Sequence, residues 1–244
     1  YMKVGDGREY LSANSHIGQI LVAEDQLPES QAWFARQRAT NPQRREQLYG
    51  LEADILTRAD KAQAAMAVLN QGLEEFPESA NLRYARSMLG EQQDDLALME
   101  SDLRAILATD PDNATALNAL GYTLANRTDR YDEAYELISR ALELQPDEPA
   151  ILDSMGWVLY RLDRYDEALD YLKRAYAVFP DPEVAAHLGE VLWVSGNTTA
   201  ATDIWRGALV NAPDHEVLLD TLKRFGLSSL AGTLPPGAPA QAPR

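Results

Sequence analysis

Apolar residues in this chain recur at helical spacing in short paired runs. Between residues 149 and 181, Leu152, Met155, Gly156 and Leu159 advance by 3, 1 and 3 positions, and Ala168, Leu172 and Ala175 by 4 and 3. Each run turns one face inward, as an amphipathic helix does. Leu162-Asp163-Arg164 separates the runs, a polar break of the length that joins two antiparallel helices. The pair then repeats along the chain. Pro42, Pro77, Pro111, Pro146, Pro180 and Pro213 are 35, 34, 35, 34 and 33 residues apart, each placed where a residue without an N–H can end a helix. Gly18, Ala53, Ser87, Gly121, Gly156 and Gly189 keep the same step, and Arg-Tyr-Asp-Glu-Ala occurs at both 130–134 and 164–168. Glycine costs about 1 kcal/mol against alanine inside a helix, so its recurrence predicts that the paired helix approaches closely there.

These residues resemble the tetratricopeptide repeat, a helix–turn–helix unit of about 34 residues. The signature falls on Leu152, Met155, Gly156, Leu159, Tyr165, Ala168, Leu172, Ala175 and Pro180 in one unit. In the next it falls on Ala185, Leu188, Gly189, Leu192, Gly196, Ala201, Trp205, Ala208 and Pro213. The unit before them carries it from Leu117 to Pro146 with one residue inserted in its turn. Upstream units depart from it: Arg83 and Arg86 stand at usually apolar positions, and Ser30 replaces the packing alanine.

The resemblance implies an all-α fold, a right-handed superhelical solenoid of antiparallel helix pairs. Six units are expected at 11–45, 46–79, 80–113, 114–148, 149–181 and 182–215. Residues 1–10 read as the end of a truncated preceding repeat. Residues 216–225 read as a capping helix with Val217, Leu218, Leu222 and Phe225 on its apolar side, since a stack must cover its last core face. The Pro-, Ala- and Gly-rich stretch 226–244 is expected to be disordered.

Composition narrows the function. Twenty-two Lys and Arg against 38 Asp and Glu give a net charge of −16, which repels phosphate backbones and argues against nucleic-acid binding. The absence of cysteine removes disulfide and thiolate chemistry, and no apolar run is long enough to span a membrane. His16, His187 and His215 form no His-Glu-x-x-His pair, and no Gly-x-Ser-x-Gly elbow occurs, so neither a zinc site nor a serine nucleophile has its usual frame. No catalytic role, metal or cofactor is expected.

Positions that line a groove recur at i, i+4 and i+8 on the first helices. They project to Tyr84, Met88 and Gln92, to Asn118, Tyr122 and Asn126, to Asp153, Trp157 and Arg161, and to His187, Glu190 and Trp193. Amides can pair with an extended peptide backbone, and Tyr and Trp make good interface anchors. The same residues could instead seal adjacent first helices against one another. Trp205, on a second helix, is expected to be core. Arg58 and Arg161, the only basic residues on the stripes, lie three units apart and make no carboxylate clamp.

Residues 119–131 (Ala119 to Tyr131) and 153–161 (Asp153 to Arg161) are similar to large bacterial tetratricopeptide lipoproteins, and within them to the outer-membrane lipoproteins that partner a periplasmic carboxyl-terminal processing protease. That resemblance implies an adaptor on the periplasmic side of the outer membrane. It would activate the protease and present substrates such as peptidoglycan hydrolases, with its lipid anchor upstream of residue 1. The competing expectation is a glycan-binding module of the cell envelope, its aromatic and amide side chains holding sugar.

Overall fold

The computed structural model describes residues 9–232. The expected last turn of a preceding repeat at residues 1–4 and the stretch 233–244 lie outside them. The described residues fold as consecutive antiparallel helix pairs, grouped into two compact units that divide between Pro111 and Asp112.

The first unit contains α1 (Tyr10–Ala23), α2 (Leu27–Thr40), α3 (Arg45–Arg58), α4 (Ala62–Glu75), α5 (Ala80–Gln92) and α6 (Leu96–Thr109), with a 3-10 turn at Pro42–Arg44 before α3. The second contains α7 (Ala114–Arg127), α8 (Tyr131–Leu144), α9 (Pro149–Arg161), α10 (Tyr165–Val178), α11 (Pro182–Val194), α12 (Thr198–Asn211), α13 (Glu216–Arg224) and the short α14 (Ser229–Gly232). Each odd-numbered helix through α11 packs on its successor, and successive first helices touch within a unit, α1 with α3, α3 with α5, α7 with α9 and α9 with α11.

Local chemistry sets the boundaries. Every second helix stops two residues before one of the phased prolines. The residue between leaves the helical region, as at Asn41 (φ −129°), Gln145 (φ −138°) and Phe179 (φ −136°), because the proline ring excludes the helical conformation of its predecessor. Ser79, Asp95, Asn113 and Asn197 accept from the backbone N–H three residues on, satisfying amides that a helix start leaves unpaired.

The turn inside each hairpin has its own signal. Asp25, Asp60, Asp94 and Asp163 adopt positive φ between 55° and 63°, and Gly196 takes the equivalent place with φ 88°. Aspartate and glycine are residues that tolerate this left-handed conformation. The fourth hairpin, with its inserted residue, leaves α7 through an extended Thr128 instead.

The small residues of the first helices are required by packing. A Cβ on Gly156 would lie 2.5 Å from Leu172 Cγ, and one on Gly121 2.6 Å from Ile138 Cγ1. At Gly189 it would collide with the Trp205 indole. Trp205 is fully buried, and its Nε1 donates to the Ala186 carbonyl at 3.4 Å. In the first unit the core comprises Tyr10, Phe34, Leu48, Leu56 and Leu69.

One boundary differs from the sequence expectation. Order continues past 225: Gly226 turns the chain with φ 71°, and α14 returns to α12 with Leu230 buried. Leu227 and Leu230 lie in the described part of this stretch, Gly-Leu-Ser-Ser-Leu-Ala-Gly at 226–232, ahead of the prolines that dominate its composition.

Candidate functional site

The projected stripes meet different fates in the two units. On α5, Tyr84 and Met88 are half-buried and Gln92 is exposed. Burial pushes the Tyr84 phenol above its usual pKa, so it stays protonated and can donate.

On the first helices of the second unit, most of the stripe is consumed internally. Asp153 (7% exposed), Trp157 (5%), His187 (3%) and Glu190 (3%) are all buried. His187 Nδ1 sits 2.9 Å from Asp153 Oδ2 and 3.1 Å from Oδ1, and its ring stacks on Trp157 with centroids 4.2 Å apart. Tyr122 reaches from α7 to α11, where its hydroxyl donates to Glu183 Oε1 at 2.6 Å. Tyr160 donates to Glu190 Oε1 at 3.1 Å, and Arg224 of the capping helix grips both Glu190 oxygens at 3.0 and 2.6 Å.

These contacts form a ladder of rivets between first helices. Burial disfavours the charged form of His187, but the carboxylate of Asp153, with Glu183 and Glu190 behind it, outweighs that and holds its pKa above the usual histidine value. The Tyr160 phenol is pushed up by burial and by the Glu190 charge. The Trp157 indole N–H and Asn118 Oδ1 are buried without a hydrogen-bond partner.

The projected residues of the second unit left accessible are Asn126, exposed, and Asn118, Tyr122, Arg161 and Trp193, half-buried. Arg161 lies over the Tyr131 ring, 4.7 Å from its centroid, and donates to its hydroxyl. Trp193 packs its ring near Trp205 and Phe225, at 5.8 and 6.0 Å. Arg58, in the other unit, pairs with Asp54 at 2.9 Å and lines a cleft of about 400 Å³ with Val22, Ile55 and Lys61.

Sequence reasoning missed Tyr160, Glu183 and Arg224 as members of the ladder. A usable signal was present: His187 lies 34 residues from Asp153, and Arg224 lies 34 from Glu190. Opposite charges one repeat period apart occupy equivalent sites on neighbouring helices.

Hairpins of this length, stacked on small residues in their first helices, define the tetratricopeptide repeat fold, and the chain is a tetratricopeptide repeat protein. Two sequence models of that family match residues 112–181 and 154–216. Over 190 residues the chain is 48% identical to the TPR repeat-containing protein PA4667 of Pseudomonas aeruginosa, covering 78% of this chain and 32% of that protein. It therefore spans about a third of that relative's length. It is also 35% identical over 84 residues to bacteriophage adsorption protein A of Escherichia coli, 34% of this chain and 8% of that one.

Among solved structures, a tetratricopeptide protein of Parabacteroides merdae superposes with TM-score 0.69 at 14% identity, covering 91% of this chain and 89% of its own. A thermophilic TPR protein of Thermus thermophilus gives TM-score 0.64 at 22% identity, covering 76% and 99%. PilF of Pseudomonas aeruginosa gives TM-score 0.60 at 21% identity, covering 77% and 87%.

Proposed function

We propose that this chain is a non-catalytic protein-binding scaffold, the repeat region of an adaptor on the periplasmic side of the bacterial outer membrane. In this reading it binds and activates a carboxyl-terminal processing protease and presents substrates such as peptidoglycan hydrolases. The observation that carries the scaffold reading is the division of labour in the second unit. Ionisable side chains that could have served chemistry are locked in the Asp153–His187 and Glu190–Arg224 pairs, while accessible aromatic, amide and apolar groups lie outside them. The adaptor reading is supported by the similarity of residues 119–131 and 153–161 to that lipoprotein family.

Titration calorimetry of the chain against a purified periplasmic protease of that class tests it, with cleavage of a hydrolase substrate as a second readout. A saturable complex and faster cleavage are expected, both weakened by Tyr84→Ala or Asn126→Ala. Neither substitution touches a buried pair, and because Tyr84 is half-buried an unchanged circular dichroism melt separates lost contact from lost folding. Absence of a complex would remove the adaptor reading.

A glycan-binding role has one observation of its own. Trp193 lines a cleft of about 280 Å³ with Thr198, Thr199, Thr202, Asp203 and Arg206. An aromatic face beside hydroxyls and a carboxylate suits a sugar ring. Saturable binding of soluble peptidoglycan fragments, lost in Trp193→Ala, would favour it.

A further inference from the structure

Five of the six exposed large apolar side chains of the second unit lie on one edge; the sixth, Val194, ends α11 on the opposite side. Within a hairpin the helices are antiparallel, so α8, α10 and α12 all end on the same side of the unit, beside the turns that lead into α9, α11 and α13. Leu144, Val178, Phe179, Val210 and Val217 sit at those helix ends and turns, with Val178 67% and Phe179 56% exposed. Leu144 and Val178 are one period apart, which repeats the feature in successive hairpins. The turns are neighbours: Arg174 of α10 reaches the Pro146 carbonyl of the preceding turn at 3.5 Å. Contiguous exposed apolar side chains on a monomer mark interaction surfaces.

The rim of this edge is acidic. Segments 143–149, 177–184 and 209–217 contain no lysine or arginine. Asp147, Glu148, Asp214 and Glu216 are exposed there. Of the cations behind these segments, Arg140 pairs with Asp112 and Glu143 at 2.7 Å each and Arg174 lies over the Tyr171 ring, while Lys173 and Arg206 are exposed further back on α10 and α12. A second copy of this chain is a poor occupant, since it would press the same carboxylates together at a net charge of −16 per chain. Charge complementarity selects a cationic one.

We propose that the turn edge of the second unit, centred on Val178 and Phe179, is a docking surface for a basic amphipathic segment of a partner protein, its apolar face on the exposed side chains and its Lys or Arg residues on the acidic rim. This rests on the scaffold reading above and specifies a surface for it.

The test is fluorescence anisotropy of a synthetic amphipathic helix, leucine on one face and lysine on the other, titrated with the wild type and with the double variant V178S/F179S. Both positions are exposed, and an unchanged circular dichroism melt checks that the variant folds. Binding should be saturable, weakened by salt, and at least about tenfold weaker in the variant, the factor that about 1.4 kcal/mol of lost apolar contact gives. Equal affinity for both proteins would mean charge attraction alone and would overturn the proposal. So would no binding at all, or a wild-type dimer that the variant abolishes. A protease complex that survives V178S/F179S would sink this surface and leave the scaffold reading standing.

Discussion

The two units build the same hairpin with charges in different places. In the first, buried ion pairs join helices that are consecutive in the chain. Arg38 of α2 binds Glu52 of α3, and Arg83 and Arg86 of α5 converge on Asp102 of α6, which is 1% exposed. Arg86 meets Asp102 as a fork, Nε to Oδ2 and Nη2 to Oδ1, both at 2.7 Å. In the second unit the hairpin interiors are apolar and small, and the polar pairs skip a helix: Asp153 of α9 to His187 of α11, Glu190 of α11 to Arg224 of α13. A charged residue at an apolar repeat position is tolerated when the facing helix supplies a buried counter-charge, and a polar groove residue is not thereby a ligand contact. Burial, read residue by residue, separates the two uses.

The largest expected effect lies in the second unit's apolar hairpins. Trp205→Ala should cost about 4 kcal/mol in denaturant unfolding, because the indole fills the space left by Gly189. A loss near zero would mean that the last hairpin is held by something other than this packing. Next comes the first unit. Asp102→Ala should cost about 3 kcal/mol by leaving two guanidinium groups without their partner. The combined change of Arg83 and Arg86 to Met with Asp102 to Leu should recover most of that, since well-packed apolar replacements of a buried ion pair are often neutral. Failure to recover would show that the charges themselves specify the α5–α6 hairpin.

The ladder predicts a pH dependence in the histidine range for the second unit. His187 has a folded-state pKa above its unfolded value, so protonation favours the folded chain. Its stabilising contribution is complete below the ordinary histidine pKa of about 6.5 and is lost as pH rises through the folded pKa. Chemical denaturation at a series of pH values should show this decline in the wild type and not in His187→Gln. The smallest effect has the opposite sign. Ser30 is 1% exposed and its hydroxyl has no partner, so Ser30→Ala, which restores the repeat's usual residue, should raise stability by about 1 kcal/mol. A loss on this substitution would place a hidden acceptor beside Ser30.

Much of this contrast was legible beforehand. The helix pairs, their proline stops and the small packing residues follow from spacing, and the collisions a Cβ would make at Gly121, Gly156 and Gly189 supply the reason glycine recurs. The matched family segment, 112–216, falls within the second unit, where the signature is intact. Arg83, Arg86 and Ser30 obscure it upstream, although the same hairpins form. Asp25, Asp60, Asp94 and Asp163 keep the repeat's phase too, but a left-handed turn residue has no hydropathy signature and went unread. The stripe was harder still. Periodicity placed Asp153, Trp157 and His187 on one line but could not tell a line facing solvent from one closed by Tyr122 reaching across to Glu183, because that depends on how tightly neighbouring hairpins curve.

If the ladder is sealed as its burial indicates, the proposed partners meet this chain outside it. Hydrogen exchange of the chain alone and saturated with a periplasmic carboxyl-terminal processing protease tests it most directly. Residues 153–157 and 187–190 should exchange slowly in both states, with new protection at the turns 145–148, 179–181 and 212–215 or around Tyr84 and Asn126. Protection gained on binding only along 153–157 and 187–190, with none at those turns or at the accessible stripe, would contradict it.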